Sequence, residues 1–293
     1  GADVTGVTRE TAELGWVTID TVLPKITWVD IESNNAKFSQ VAKGGDTIFM
    51  TINASEWIDM PTVQLSGRAA DVLAPYGAAD GSQHATHYLF GSCPEYNATM
   101  TVVGEHRHGE ETPIETQGNV SVSVTSVEDP AGNVGDDVTA TSRQTAELGW
   151  VTIDTIAPSV TFVDIESNNA KHAQLARQGD TVFLTINASE WISVPTVELA
   201  GRAADSVQPY GAESQHDVHY LFGSCPEYNA TITVVGTHEY GASDVTETQG
   251  NVSVSVTDIE DPAGNVGSDV SSVTRETAEL GWVTIDTVAP ALT

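Results

Sequence analysis

The string T-A-E-L-G-W-V-T-I-D-T occupies residues 11–21, and the same eleven residues return at 145–155 and 277–287. Apolar and polar groups alternate within it. In an extended chain Gly15, Val17 and Ile19 fall on one face, and Leu14, Trp16, Thr18 and Asp20 on the other. The string reads as a β-strand, and its return at offsets of 134 and 132 residues makes the chain an internal repeat. Other landmarks keep step with it. I-E-S-N-N-A-K starts at Ile31 and Ile165, N-A-S-E-W at Asn53 and Asn187, L-F-G-S-C-P-E-Y-N-A-T at Leu89 and Leu221, and D-P-A-G-N-V-G at Asp129 and Asp261. A proline follows each copy of the opening string, at Pro24, Pro158 and Pro290. These joints divide the chain into a terminal strand segment at 1–23, repeats at 24–157 and 158–289, and the start of a following repeat at 290–293. The segment 1–23 matches only the tail of a repeat.

Between the landmarks the same two-residue period recurs. Ile48, Met50 and Ile52 alternate with Thr47, Phe49, Thr51 and Asn53. Ala98, Met100 and Val102 alternate with Asn97, Thr99 and Thr101, and Asn119–Thr125 alternates valine with serine and threonine. No window of eleven residues carries a helical period. The fold class expected is therefore all-β, a sandwich in each repeat. A repeat of about 133 residues exceeds the roughly 100 of a minimal immunoglobulin-like sandwich. The excess is expected as surface loops around Asp71–His87 and Glu105–Gln117, where the two copies differ most.

Composition narrows the function. Acidic side chains number 41 against 11 basic ones, a net charge of −30. Such a chain repels a phosphate backbone, so nucleic acid is excluded as a partner, and an anionic membrane surface with it. No run approaches the roughly 18 consecutive apolar residues of a membrane span. No histidine or asparagine accompanies the cysteines in a nucleophile–base arrangement, and no catalysis is expected.

The ordered set S-N-N-A-K (33–37), G-D-T-I-F-M-T-I-N-A-S-E (45–56), D-P-A-G-N (129–133) and V-T-I-D-T-I-A-P (151–158), repeated in the second copy, resembles the tandem bacterial-type immunoglobulin-like (Big-like) repeats of large extracellular adhesins and surface fibres. The resemblance covers the ends of both repeats and not the middle, which holds the cysteine and the histidines. It implies extracellular immunoglobulin-like sandwiches in a linear array, often rigidified by calcium, and no catalysis.

Four groups of residues are candidates for function. N-x-(S/T) acceptors stand at Asn53, Asn97, Asn119, Asn187, Asn229 and Asn251, six of the twelve asparagines, where about one in five would qualify by chance. All six fall on the polar side of their strands, where an N-linked glycan fits. Carboxylates and amides cluster at repeat ends: Asp20, Asp30, Glu32, Asp129 and Asn133, then Asp154, Asp164, Glu166, Asp261 and Asn265, with Glu56 or Glu190 after the second strand. Hard oxygen ligands of this kind suit calcium, although a solvated acidic surface with Asp and Asn turn chemistry reads equally from the same residues. Cys93 and Cys225 occur once per repeat. Each is either a buried free thiol or a link to another chain. Leu14, Trp16, Leu148, Trp150, Leu280 and Trp282 lie opposite the valine–isoleucine face of the repeated strand, and form an assembly interface unless a loop of the same repeat covers them. The pairs His84/His87 and His216/His219 read as surface histidines.

Together these features give the expectation of a structural segment of an extracellular, glycosylated fibre. Its partners would be copies of itself, including strand addition by residues 1–23. The alternatives are the stalk of a cell-surface adhesin and a carbohydrate-binding accessory module of a secreted enzyme.

Overall fold

The computed structural model describes residues 19–76, 91–104, 118–141, 150–210, 223–236, 249–273 and 281–291. The chain forms two compact units, Gly1–Asp154 and Thr155–Thr293. The described residues hold strands, turns and bends and no helix, so none is long and apolar enough to cross a membrane.

In unit 1 the strands are β1 (Ile26–Ser33), β2 (Val41–Ala42), β3 (Thr47–Ile58), β4 (Thr62–Leu65), β5 (Arg68–Ala69), β6 (Val72–Pro75), β7 (Cys93–Thr101), β8 (Gly118–Asn119), β9 (Ser121–Thr125), β10 (Val138–Thr141) and β11 (Thr152–Ile153). One sheet runs β1-β3-β7-β6 and the other β10-β9-β4-β5, all antiparallel. A short third sheet, β2-β11-β8, sets β11 parallel to β2 and antiparallel to β8. Unit 2 repeats this order from β12 (Val160–Ser167) to β22 (Thr284–Ile285). The all-β fold expected from the alternation is present, with two four-stranded antiparallel sheets in each unit.

The alternation is converted directly into a core. Ile48, Met50 and Ile52 of β3, Ala98 and Met100 of β7, and Val122 and Val124 of β9 are buried and pack in one cluster. Val151 and Ile153 flank and form β11 and close that cluster, as Val283 and Ile285 do in unit 2. Each buried aliphatic side chain contributes about 1.5–3 kcal/mol. Tyr96, also fully buried, donates its hydroxyl to the Ile58 carbonyl at 2.8 Å, and Tyr228 does the same to Ile192. Tyr96→Phe would leave that carbonyl without its partner inside the core. A loss of about 1–2 kcal/mol is expected, read as a lower denaturant midpoint with an unchanged slope.

Three expectations change. The stretch Asn119–Thr125 is not one strand. It breaks at Val120, whose N–H donates to Val151 O at 2.9 Å, so the chain passes from the β11 sheet to the β4–β9 sheet. The loop expected from Asp71 begins as a strand: β6 adds to the edge of β7. An Arg68–Asp71 ion pair at 2.5 Å fixes this corner, with Arg68 donating to Thr101 O and Thr101 N–H donating to Asp71. The hydrogen bond from Arg68 holds the Asp71 carboxyl below its usual range. Residues 77–90 and 105–117 lie outside the described residues. Third, Cys93 and Cys225 are free and 0% exposed. A thiol sealed in the core cannot reach another chain, so the cysteines leave the assembly interface. Burial pushes the Cys93 thiol up, away from the reactive thiolate.

Candidate cation site

The turn after β9 is organised by one carboxylate. Asp129, 1% exposed, accepts the N–H groups of Ala131 and Asn133 on Oδ1 at 2.8 and 2.9 Å, and Asn133 Nδ2 on Oδ2 at 2.7 Å. Burial alone would raise the pKa of Asp129, but these donors outweigh it and hold the carboxyl below the ordinary carboxylate range. Asn133 Nδ2 also reaches the Asp20 carbonyl at 3.3 Å, which ties the turn to the segment before Pro24. Two further contacts seat the turn. Asp59 N–H donates to Glu128 O at 2.7 Å, and Gly135 N–H donates to Val127 O at 2.8 Å.

Glu56 completes the group. It lies in the bulge of β3, where pairing with β7 slips between Asn53 and Ile58 and strict alternation fails. One carboxylate oxygen from each of Asp20, Glu56 and Asp129 falls within 4.8 Å of the others. Glu56 as a residue is half-buried, but its Oε1 is out of contact with solvent and has no hydrogen-bond donor. Burial first, and then the charges of Asp20 and Asp129, raise the Glu56 pKa. Three carboxylates at this spacing repel unless a proton or a cation is shared among them. The donor set is all hard oxygen, which suits calcium, with water making up the remaining ligands.

Four sequence candidates, Asp30, Glu32, Asp164 and Glu166, fall in no such group among the described residues. Asp30 and Glu32 lie along β1 opposite Thr51 and Phe49, apart from the carboxylates at Asp129. Asp164 Oδ1 accepts the Ile165 N–H at 3.0 Å and lies so close to Gly281 that a β-carbon there would meet it at 2.5 Å. Glu166 pairs opposite Phe183. These four residues therefore leave the calcium set. Asn133 Nδ2 donates to both Asp129 and Asp20. In unit 2 the turn is built alike, with Asn265 donating to the fully buried Asp261 at 2.7 Å. Asp154, the last residue of unit 1, is half-buried and donates its N–H to Ala42 O at 2.9 Å.

The sequons divide into two kinds. Asn119 and Asn251 are exposed, and their Oδ1 atoms accept Thr152 and Thr284 hydroxyls at 2.9 Å. Asn53, Asn97, Asn187 and Asn229 are half-buried on the outer faces of their sheets. Trp150 and Trp282 are half-buried too, so neither stands out as an open patch. Leu14, Trp16, Leu148, Leu280 and the four paired histidines lie outside the described residues.

No family model matches the chain, and no curated protein does. Among solved structures, one described as Rst D1-D2 aligns over 91% of this chain and 100% of its own, at 9% identity and a TM-score of 0.33. So distant a likeness bears on neither site nor function.

Proposed function

We propose that the chain is a structural segment of an extracellular, glycosylated array of serial β-sandwiches, which acts by reach and cohesion. One observation carries this reading. Ile153 and Ile285, in the strands that close units 1 and 2, are each 1% exposed, whereas Ile19, the same position in the first copy of the string, is 89% exposed. Burying an isoleucine contributes about 1.5–3 kcal/mol, so a third copy of a core strand makes physical sense where another sandwich covers it. An upstream module would do so, and so would a second copy of the chain to which residues 1–23 add as a strand.

Two features serve such an array. Calcium at Asp20, Glu56 and Asp129 would tie the segment ahead of Pro24 to the turn at the end of the sandwich. Sugars and the net charge of −30 keep the shaft hydrated and keep unrelated surfaces apart. Electron microscopy of the native material tests the reading. Uniform fibres or rods with a regular axial repeat are expected, and a compact globule without axial repeat would overturn it.

A further inference from the structure

The outer face of the sheet β1-β3-β7-β6 can be read row by row from its register. Trp28 lies opposite Asn53, Asn53 lies opposite Glu95, and Tyr76 donates its N–H to Glu95 O at 2.9 Å. The next row sets Asp30, Thr51, Asn97 and Ala74 abreast, and the one after it Glu32, Phe49, Thr99 and Val72. The sequon residues Asn53 and Asn97 are therefore diagonal neighbours on one face. Trp28 flanks the first directly, and Phe49 flanks the second on the diagonal. Cross-strand neighbours stand about 4.5–5.5 Å apart and diagonal ones about 7–8 Å, both within reach of a ring and an attached sugar.

Three aromatic rings on this face are exposed: Trp28 by 40%, Phe49 by 40% and Tyr76 by 46%. Unit 2 keeps the arrangement. Phe162 lies opposite Asn187, Phe183 is diagonal to Asn229, and Tyr210 bonds to Glu227, with exposures of 46%, 36% and 50%. The residue at the first position changes from tryptophan to phenylalanine, and the aromatic character stays. The Oδ1 atoms of Asn53 and Asn97 are buried without a hydrogen-bond partner, whereas in unit 2 Asn229 Oδ1 accepts the Thr185 hydroxyl at 3.3 Å.

We infer that this face is the seat of the chain's own N-linked sugars, attached at Asn53 and Asn97 in unit 1 and at Asn187 and Asn229 in unit 2, with their C–H faces stacked on the rings of Trp28 or Phe162 and Phe49 or Phe183. The inference rests on the glycosylated reading above and deepens it. The occupant is chosen by the face, since the acceptor amides stand in the same rows as the rings. Attachment forms a bond from Nδ2 to a sugar C1. That carbon leaves a diphosphate-activated donor as the amide loses one proton, and Oδ1 stays inward. A ring carrying a flat sugar face buries apolar surface and leaves the sugar hydroxyls in water, as amphipathic contacts of aromatic residues generally do.

The test uses the full chain made in a glycosylating host and in one that attaches no sugar. Peptide mapping of the first is expected to find sugar at Asn53 and Asn97, and a map with both unmodified would overturn the inference. Phe49→Ala and Trp28→Ala are then melted in both forms. Each is expected to lower Tm by about 3 °C more in the sugar-bearing chain than in the bare one, the difference being the coupling between ring and sugar. Equal losses in the two forms would refute the stacking. Where a variant fails to fold, acrylamide quenching of tryptophan in the unsubstituted chain decides the same point: shielding by the sugar is expected, and identical quenching overturns it. None of these readings depends on whether the native material forms fibres.

Discussion

Gly267→Ala is expected to destabilise unit 2 by about 3–4 kcal/mol, lowering its melting temperature by roughly 10 °C. A β-carbon at Gly267 would stand 2.1 Å from the Pro158 carbonyl oxygen, and one at Gly135 would stand 2.0 Å from that of Pro24. Both distances are far inside van der Waals contact, and the obstacle is backbone rather than a side chain that could swing away. These glycines end the D-P-A-G-N-V-G turn, where the chain passes directly against the first residue of its own repeat. The substitution must therefore push the turn off the start of the sandwich. In unit 1 the same displacement would pull Asp129 away from Asp20. Differential scanning calorimetry of each variant checks the size of the effect, and a shift of less than about 3 °C would show that the turn yields easily.

Removal of calcium is the second large effect expected. If the free ion is near 100 times its dissociation constant, binding contributes about 2.7 kcal/mol, and chelation should lower Tm by roughly 5–10 °C. Glu56 supplies the control, because its two states have opposite signs. Without a cation, burial and the neighbouring charges of Asp20 and Asp129 make the folded protein hold the Glu56 proton more tightly than the unfolded chain does. Stability then falls as pH rises from the ordinary glutamate value of 4.5 through the raised folded pKa, and stays lower above it. Glu56→Gln should therefore raise Tm at neutral pH in chelator and lower it in calcium. A variant that behaves alike in both media, or a native chain indifferent to chelator, would remove the metal from this turn.

Much of the fold is legible in the amino-acid order alone. The faces of β3, β7 and β9 follow from a period of two, because one side of each strand meets the core and the other meets solvent. What escapes is whatever a period cannot encode. Val120 continues the alternation without a break, and only the competing claims of Val151 and β4 make the chain change sheets there. β5 and β6 are short and half-exposed, and β6 ends in Pro75, so their sequence reads as loop. Glu56 is visible as an acid after a strand, yet its place in the cation group depends on a bulge that turns it out of the alternation. Asp30 and Glu32 group with Asp20 by nearness in sequence, but an extended strand carries residues away from the joint by about 3.3 Å each. The cysteines cannot be placed without knowing that the strand they begin is central to its sheet.

The closing strand has one more consequence. β11 and β22 come from identical eleven-residue strings, and a third string of the same letters lies at 11–21. Three interchangeable pieces thus compete for two vacancies during folding. The upstream string is separated from β2 by about twenty residues, whereas 145–155 is separated from it by about a hundred, and shorter closures form with less loss of entropy. A newly made chain is therefore open to mispairing in which the wrong copy arrives first, and refolding from denaturant should be slowed by the time needed to release it.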